Sequence, residues 1–571
     1  MLSPRWEMQP YDDIAAAALA SALGVDATVA RLLCLRGLAD PGQASAFLNP
    51  SLGQLHDPMK LTDMDVAVRR ILAARSRGER IAVHGDYDVD GVTSTVILKR
   101  ALALLGADVV HFIPERMKDG YGLQPAAIER LHAEGVALIV SVDCGIRGVE
   151  AATRARELGV DLIITDHHEP DAELPPALAV INPKRVDCPY PDKHLAGVGV
   201  ALKLVQALCQ REGREHWLPG FVKIAAIGTL ADVVPLIGEN RVIAKLGLDL
   251  LSRGPHKIGL RALLEVAGLS GKTIDSFHVS FMLAPRVNAA GRMSSPDIAA
   301  RLLLADDEDR QDEARALAAE LDRENLRRRD EEAAILAAAR KVAQTDPDVG
   351  ARSVLVVAGE GWHRGVIGIV ASKLVETFHR PAIVLSIEDG LAHGSCRSIR
   401  HFDMLGALER TGHLLMRFGG HRQAAGLTME AARIRELRGA VNAIADETLG
   451  PDDLVPRLRI DADLGFRGIT PEVASGVAAL APFGAGNPKP VFAARGVTIV
   501  DGPRKLKERH LTMALRQDGR VFRAIAWRAA ERHDYLTAHR TAVDVAFSLE
   551  QNQYNGTTSV ELTLADARGS T

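Results

Sequence analysis

Cysteine is scarce and unpatterned in this chain of 571 residues. The five, Cys34, Cys144, Cys188, Cys209 and Cys396, are scattered, odd in number and without CxxC spacing. That excludes a zinc knuckle and argues against a disulfide framework. No apolar run approaches the ~20 residues needed to span a bilayer, so no membrane partner is expected. The N-terminus, MLSPRWEMQPYDD, carries acids and has no apolar h-region, so no signal peptide is expected and a cytoplasmic location follows. No repeat or low-complexity tract stands out. The formal net charge is only −4, which gives no global sign of a polyanion partner.

What is present is ordinary in bulk and uneven in detail. Apolar residues make up 47% and charged residues 25%, as in soluble globular proteins. The length exceeds what one hydrophobic core supports, so three or four domains are expected. Between residues 456 and 530 there are 13 Lys+Arg against 6 Asp+Glu, a local net of +7. Such an excess suits a nucleic-acid-binding domain, although alone it is better explained as a solvated basic face.

From Arg80 to about Leu208 the pattern alternates. Strand candidates at Ile81–His84, Asp108–Pro114, Ala137–Asp143, Asp161–Thr165 and Ala179–Asn182 are separated by helical stretches at Val92–Leu105, Gln124–His132 and Val149–Leu158. Strands alternating with helices predict βαβ units and a parallel sheet. The first sixty residues read as short helices. A helical section with Phe221–Asp232 and Ile298–Leu304 comes after the sheet. Residues 308–344 lack Gly and Pro and predict one long connecting helix or two stacked ones. A second α/β block begins at Ser353–Val357 and closes near Leu449. After a Pro451–Pro456 linker, short strand-like runs suit a small β-barrel.

Three segments rich in acid and histidine each come directly after a strand candidate. They are His84-Gly85-Asp86-Tyr87-Asp88-Val89-Asp90-Gly91, Val142-Asp143-Cys144-Gly145 and Thr165-Asp166-His167-His168-Glu169. Ligands bind at the carboxyl ends of strands in an open parallel sheet, so all three converge on one edge. Carboxylates and imidazoles without thiolate suit a divalent cation of the manganese or magnesium type. Asp88 and Asp90 alternate, and on an extended segment both emerge on one side, where they repel unless a cation holds them. Each segment alone has a plainer explanation: an acidic turn before a helix for Asp88 and Asp90, an N-cap for Asp143, an isolated helix-end acid for Asp232. The adjacent His167 and His168 are harder to explain away. Jointly the segments point to a metal-dependent catalytic site.

His84-x3-Asp88-x-Asp90, then Asp143, Asp166-His167-His168 and Asp232 follow in order the four motifs of the DHH phosphoesterases, and the chain resembles that family. Further segments resemble its RecJ exonuclease branch: Ala284-Pro285-Arg286-Val287-Asn288-Ala289-Ala290-Gly291-Arg292, the run from Gly361 to Ala371, Arg397-Ser398, and Phe418-Gly419-Gly420-His421. Pro482-Phe483-Gly484-Ala485-Gly486-Asn487-Pro488-Lys489-Pro490 is similar to the start of that branch's oligonucleotide-binding barrel. The resemblance runs from about residue 50 to the C-terminus. Phe418 departs from the usual Gly-Gly-Gly-His, and Cys396 stands where a smaller residue is more usual; neither is an expected ligand.

The resemblance implies an α/β fold with a parallel-sheet DHH domain and a DHH-associated α/β domain joined by a long helix, with a C-terminal OB-type barrel. The expected boundaries are 1–65 for the N-terminal helical region, 66–305 for the DHH domain, 306–349 for the connecting helix, 350–450 for the associated domain and 456–571 for the barrel. It implies two ions, manganese or magnesium. Asp143 bridges them, with His84 and Asp88 on one and Asp90, His167 and Asp232 on the other; His84 acting from behind a carboxylate is the alternative. Asp143, Asp90 and His168 are the expected catalytic residues, with His168 beside the scissile phosphate. Arg286, Asn288, Arg292, Arg397, Ser398 and His421 are expected to hold the strand, arginine through its planar fork. For either Arg286 or Arg292 alone a structural salt bridge is the plainer reading. Tyr121 and Trp362 are stacking candidates, although aromatics flanked by glycine more often pack or turn. In the barrel, Phe492, Phe522 and Trp527 offer faces for bases or for the core.

The activity this implies is 5′→3′ hydrolysis of single-stranded DNA to mononucleotides, in recombination and repair, beside a helicase and a single-strand-binding protein. Two other readings compete. A DHH phosphodiesterase acting on short oligoribonucleotides, cyclic dinucleotides or pyrophosphate lacks the barrel and the long N-terminal region. An inactive scaffold binding single strands loses metal ligands, whereas this chain keeps every expected one.

Overall fold

The computed structural model describes residues 4–115, 120, 122–554 and 557–570 and divides into two compact units. Tyr121 lies outside the described residues. One unit comprises Tyr11–Asn325 with Thr470–Pro490; the other comprises Met1–Pro10, Leu326–Ile469 and Val491–Thr571. No single helix among the described residues is long and apolar enough to cross a membrane.

Strand β1 (Arg5–Met8) belongs to the second unit. The first unit is built on five parallel strands, β2 (Arg80–His84), β3 (Val109–Phe112), β4 (Val136–Val142), β5 (Asp161–Thr165) and β6 (Ala179–Ile181), in the order β3-β2-β4-β5-β6. Each predicted strand of this region forms. The central ones are mostly Val, Ile, Leu and Ala because helices cover both faces of a parallel sheet. One face packs on helices Val89–Leu104, Gly197–Arg211 and Leu218–Ala231, the other on Pro125–Ala133 and Val149–Glu157. The chain leaves β2 toward β3 and then crosses back to β4, so the winding direction reverses between β2 and β4. Ligands bind beyond the carboxyl ends of strands at such a reversal.

The Gly- and Pro-free stretch resolves as a single helix, Gln311–Thr345. In the second unit a sheet of β7 (Leu355–Glu360), β8 (Ala382–Glu388), β9 (Leu391–Arg397), β10 (Arg417–His421) and β11 (Ala424–Glu430) runs in the order β10-β11-β9-β8-β7. Only β7 and β8 pair in parallel. After β12 (Arg457–Ile460) and β13 (Ala462–Asp463) come the barrel strands β14 (Phe492–Leu506), β15 (His510–Gln517), β16 (Arg520–Ala526), β17 (Val543–Tyr554) and β18 (Thr557–Gly569). They pair as β14-β15-β16-β18-β17, and β17 returns to β14, which closes a five-stranded barrel and leaves no edge among these strands.

Two features depart from expectation. The first residues are not all helical: β1 pairs in parallel with β12, and Trp6 Nε1 donates to Asp566 Oδ2 at 2.8 Å beneath the Arg568 guanidinium. Four residues are too few for periodicity to reveal. Residues 470–490, assigned from sequence to the barrel, leave it between β13 and β14 and pack within the first unit as helix Pro471–Ala479 and a turn. Buried Arg241 and the neighbouring Lys245 cap that helix, donating to the carbonyls of Ala479, Leu480 and Ala481. Cations at a helix C-terminus complement its dipole.

Candidate active site

The three segments converge as expected. Asp86, Asp88 and Asp90 follow β2, Asp143 follows β4, and Asp166, His167 and His168 follow β5. Helix Leu218–Ala231 brings Asp232 as its C-terminal cap. Three groups each place their ligand atoms within 4.8 Å of one another: Asp86, Asp88 and Asp143; Asp90, His167 and Asp232; Asp143, His167 and His168. Asp143 joins the first group to the third. His167 Nε2 stands 3.3 Å from Asp143 Oδ1, 3.7 Å from Asp232 Oδ2 and 3.9 Å from Asp90 Oδ2.

Local structure aims these groups. Asp88 and Asp90 do not share an extended segment, as their alternation suggested; Asp88, itself extended, is the N-cap of helix Val89–Leu104, accepting from Gly91 N at 3.0 Å, and Asp90 lies in the first helical turn. Asp90 is nonetheless buried, because its two oxygens accept from Gly197 N and Val198 N, each at 2.7 Å, at the start of helix Gly197–Arg211. Free amides and the helix dipole at that end favour a carboxylate. Asp143 adopts φ 59°, a left-handed conformation that aspartate tolerates better than most residues. Helix Gly197–Arg211 can approach it only because residue 197 is glycine: a Cβ there would stand 2.7 Å from Asp143 Cβ and closer still to its Oδ1.

Asp166 serves as an orienter. Its Oδ1 accepts from His167 N at 2.7 Å, His168 N at 3.0 Å and His168 Nδ1 at 2.7 Å, and its Oδ2 accepts from Ile146 N at 2.9 Å. The two imidazoles then diverge. Burial and the neighbouring His168 charge hold His167 down to about 4, so it is neutral and offers a lone pair. Burial opposes charge on His168 too, but the hydrogen bond to Asp166 and the charges of Asp166, Asp232 and Asp86 together outweigh it and raise the pKa above the usual imidazole range. With Nδ1 fixed, His168 keeps Nε2 and a half-exposed ring for a substrate.

The carboxylates carry the reverse perturbation. Burial, then repulsion from Asp88, lifts Asp86 and Asp232 each to about 7. Burial and the surrounding carboxylates drive Asp90 and Asp143 far above the ordinary range. Asp143 Oδ1 and His167 Nε2 are buried and accept or donate no hydrogen bond among the described residues. Crowded, buried oxygens beside an unprotonated imidazole, with the charges of His168 and Lys184 too few to offset them, fit a divalent cation, whose charge removes the repulsion.

Other expected residues fall out variously. His84 lies outside the three groups, buried with its ring against Phe112 and its Nδ1 3.6 Å from Cys144 Sγ. Asp86, which the sequence reading passed over, stands with Asp88 and Asp143 instead; its alternation with Asp88 and Asp90 was the available signal. Asn288 Oδ1 accepts from Val89 N at 3.1 Å and so braces the turn carrying Asp88 and Asp90. Arg286 donates to Asp322 Oδ1 at 2.9 Å and to the carbonyls of Met282 and Val266. Its fork is engaged within the protein, which favours the salt-bridge reading over phosphate contact. Arg292 lies half-buried on the same helix, Ala284–Met293.

In the second unit, Arg397 ends β9, and Ser398 Oγ donates to Phe402 O at 2.8 Å. His421 ends the exposed edge strand β10, opposite Ala424 of β11. Trp362 packs against Gly359, a packing role rather than an open stacking face. In the barrel Phe492 and Phe522 belong to the core, whereas Trp527 is exposed beside His510.

Family models match in three places: the DHH family, N-terminal domain, over residues 80–229; the DHHA1 domain over 351–447; and the RecJ OB domain over 460–566. The single-stranded-DNA-specific exonuclease RecJ of Bacillus subtilis is 39% identical over 568 residues, 99% of this chain and 70% of its own. The Escherichia coli protein of the same name is 35% identical, covering 88% of this chain and 90% of its own. Among solved structures, RecJ from Thermus thermophilus in complex with Mn2+ superposes with a TM-score of 0.83 at 36% identity, covering 99% of this chain and 79% of that one. The Mg2+ complex gives 0.78 at 34% identity, covering 99% and 78%.

Two outcomes test this geometry. Gly197→Ala is expected to displace Asp143 and lower the rate about 100-fold, the cost of misplacing a reacting group by ~1 Å, with the circular dichroism spectrum kept; an unchanged rate would show that the contact is not needed. The second concerns pH. Acids whose folded pKa is raised stabilise the metal-free fold below their unfolded value of about 4, and that stability is lost as pH climbs toward 7. Cation binding displaces those protons. A fixed excess of Mn2+ is therefore expected to raise the melting temperature more at pH 8 than at pH 5.5; an equal or smaller gain at pH 8 contradicts the assignment.

Proposed function

The chain belongs to the RecJ family, and on that premise we propose that it is a single-strand-specific exodeoxyribonuclease removing nucleotides in the 5′→3′ direction. The observation that carries the proposal is the chain of cation-sized groups on one sheet edge, in which Asp143 belongs to two groups and His167 links it to the third, Asp90 with Asp232. Asp86, Asp88 and Asp143 would hold one manganese or magnesium ion; Asp90, His167 and Asp232, with Asp143 3.3 Å from His167 Nε2, would hold the other. Bound divalent cations supply Lewis acidity at the phosphate and make hydroxide accessible near neutral pH.

The chain's own residues do the rest. Asp143, which stands with Asp86 and Asp88 on one side and with His167 on the other, would face both ions. Neutral His167 contributes a lone pair, and His168, held by Asp166, places a proton and positive charge at the phosphate undergoing attack. His84 supports this edge from behind. Asn288 braces the Asp88 turn rather than touching DNA. Arg397, Ser398 and His421 bind a phosphate of the strand, and Arg292 contributes a further contact.

The barrel retains the strand. Arg516 and Arg523 project from β15 and β16 on its exposed surface, with Arg504, Lys505, Lys507 and Arg509 around the β14–β15 turn. Backbone phosphates meet such a surface without regard to sequence, and Trp527 offers a stacking face. Metal chemistry thus belongs to residues 66–305, the phosphate grip to 350–450 and retention to the barrel of 456–571 less its 470–490 excursion, with 306–349 connecting and 1–65 flanking. We further propose a cytoplasmic location, where a helicase exposes the strand and a single-strand-binding protein coats it.

The test is incubation of 5′- and 3′-end-labelled single strands, duplex DNA and RNA with Mn2+ or Mg2+. Release of label first from 5′-labelled single-stranded DNA is expected, and preference for RNA or for the 3′ end would overturn the reading. In the same assay Arg397→Ala and His421→Ala are expected to raise the Michaelis constant at least tenfold while Mn2+ affinity stays within twofold. Mn2+ affinity falling with either change would mean that these residues are not a separate phosphate grip.

A further inference from the structure

Most of the acids at the metal site are tied down by direct hydrogen bonds to their carboxylates. Asp86 accepts from Tyr87 N, Asp88 from Gly91 N, Asp90 from Gly197 N and Val198 N, and the orienter Asp166 from three amides. Asp232 differs. Among the described residues its carboxylate accepts no hydrogen bond, and its nearest ion-pair partner is His167 Nε2 at 3.7 Å, with an Asp90 oxygen within 4.8 Å. Its aim therefore depends on the backbone that carries it. That backbone is strained: Val233, the next residue, sits at φ 62° with its side chain exposed. A β-branched residue in the left-handed region persists only where its surroundings impose it.

The surroundings come from far along the chain. Leu236 N donates to Ala485 O at 2.8 Å. Gly486, at φ 68°, lies so close that a Cβ would stand 2.9 Å from Pro235 Cβ. Phe483 O accepts from Ser276 Oγ at 3.0 Å, and Ser280, one turn further on, donates to Leu230 O at 3.1 Å. The turn 482–487 thus touches both the chain leaving Asp232 and the segment bonded to the helix that leads into it. On its other side, Asn240 Nδ2 donates to Pro235 O at 3.1 Å.

Asn487 holds this turn in shape. It is fully buried; Nδ2 donates to Leu480 O and Pro482 O, each at 2.8 Å, and Oδ1 accepts from Arg36 Nε at 2.6 Å. Its backbone pairs both ways with Gly484. A buried asparagine with its amide fully engaged enforces a single local geometry.

We propose that Asn487 and the turn 482–487 position Asp232, so that the metal site is completed by a segment lying more than 200 residues beyond the other ligands. This deepens the proposed function and rests on Asp232 being a ligand there. The segment's lasting use is then metal affinity, in addition to any part in DNA binding.

The test uses the full-length, metal-stripped protein and Mn2+ alone, with affinity read by calorimetry and kcat and KM measured separately on single-stranded DNA. Asn487→Ala and Gly486→Ala are compared with Arg70→Ala, which breaks an ion pair with Asp161 at the opposite end of β5. Both turn variants are expected to weaken the affinity of at least one Mn2+ by tenfold or more and to lower kcat, partly rescued by excess Mn2+, with KM within twofold. Arg70→Ala is expected to bind Mn2+ as the parent does. If Asn487→Ala does not fold, Gly486→Ala decides. Parent-like Mn2+ affinity in the turn variants, or equal weakening in Arg70→Ala, overturns the proposal. A parent protein that binds no Mn2+ would instead refute the metal-site reading beneath it.

Discussion

Mutual repulsion among buried carboxylates is the constraint on which this molecule turns. Asp86, Asp90 and Asp143 are drawn together and shielded from water at the carboxyl edge of one sheet, with Asp88 and the half-buried Asp232 beside them. Left alone the arrangement opposes folding, and it persists because the rest of the unit is built to impose it. A helix N-terminus receives Asp90, a glycine lets that helix reach Asp143, and Asp166 fixes both histidines. A cation converts the same repulsion into a binding site. The perturbed acids are thus the signature of the function, as perturbed groups in clefts often are.

The sheet and its loaded edge were legible because they obey simple rules. Strands buried on both faces read as continuous apolar runs, and a parallel sheet directs the segments leaving its strands to a single side. Asp143, His167 and Asp232 therefore came together as expected. Asp88 and Asp90 also arrived, by a different local route: capping of helix Val89–Leu104 won over extended alternation, since the side chain of Asp88 satisfies an otherwise free amide. Asp86 was overlooked although it continues the same alternation; a third acid in a short turn looks redundant until its burial, and its place beside Asp88 and Asp143, show that it faces the site.

What sequence could not reveal are contacts without periodicity. β1 is four residues long, and the 470–490 excursion carries no pattern distinguishing a barrel loop from a segment that packs within the first unit. Charge and aromatic type were similarly ambiguous. Arg286 reads as a phosphate ligand until its fork is seen on Asp322, and Phe492 and Phe522 read as stacking faces until the barrel closes over them. Each of these depends on which side of an element a residue occupies, and that is decided by packing.

The central claim is that one carboxylate, Asp143, belongs to two cation sites. The most direct measurement is the number of Mn2+ ions bound per metal-stripped chain at pH 8, by calorimetry or by the electron paramagnetic resonance signal of free Mn2+, in the parent and in Asp143→Asn. The account predicts two ions in the parent, with tight binding of both lost on this single isosteric change while circular dichroism is unaltered. Asp143→Asn binding both ions with parent affinity, or losing one and keeping the other intact, would contradict it.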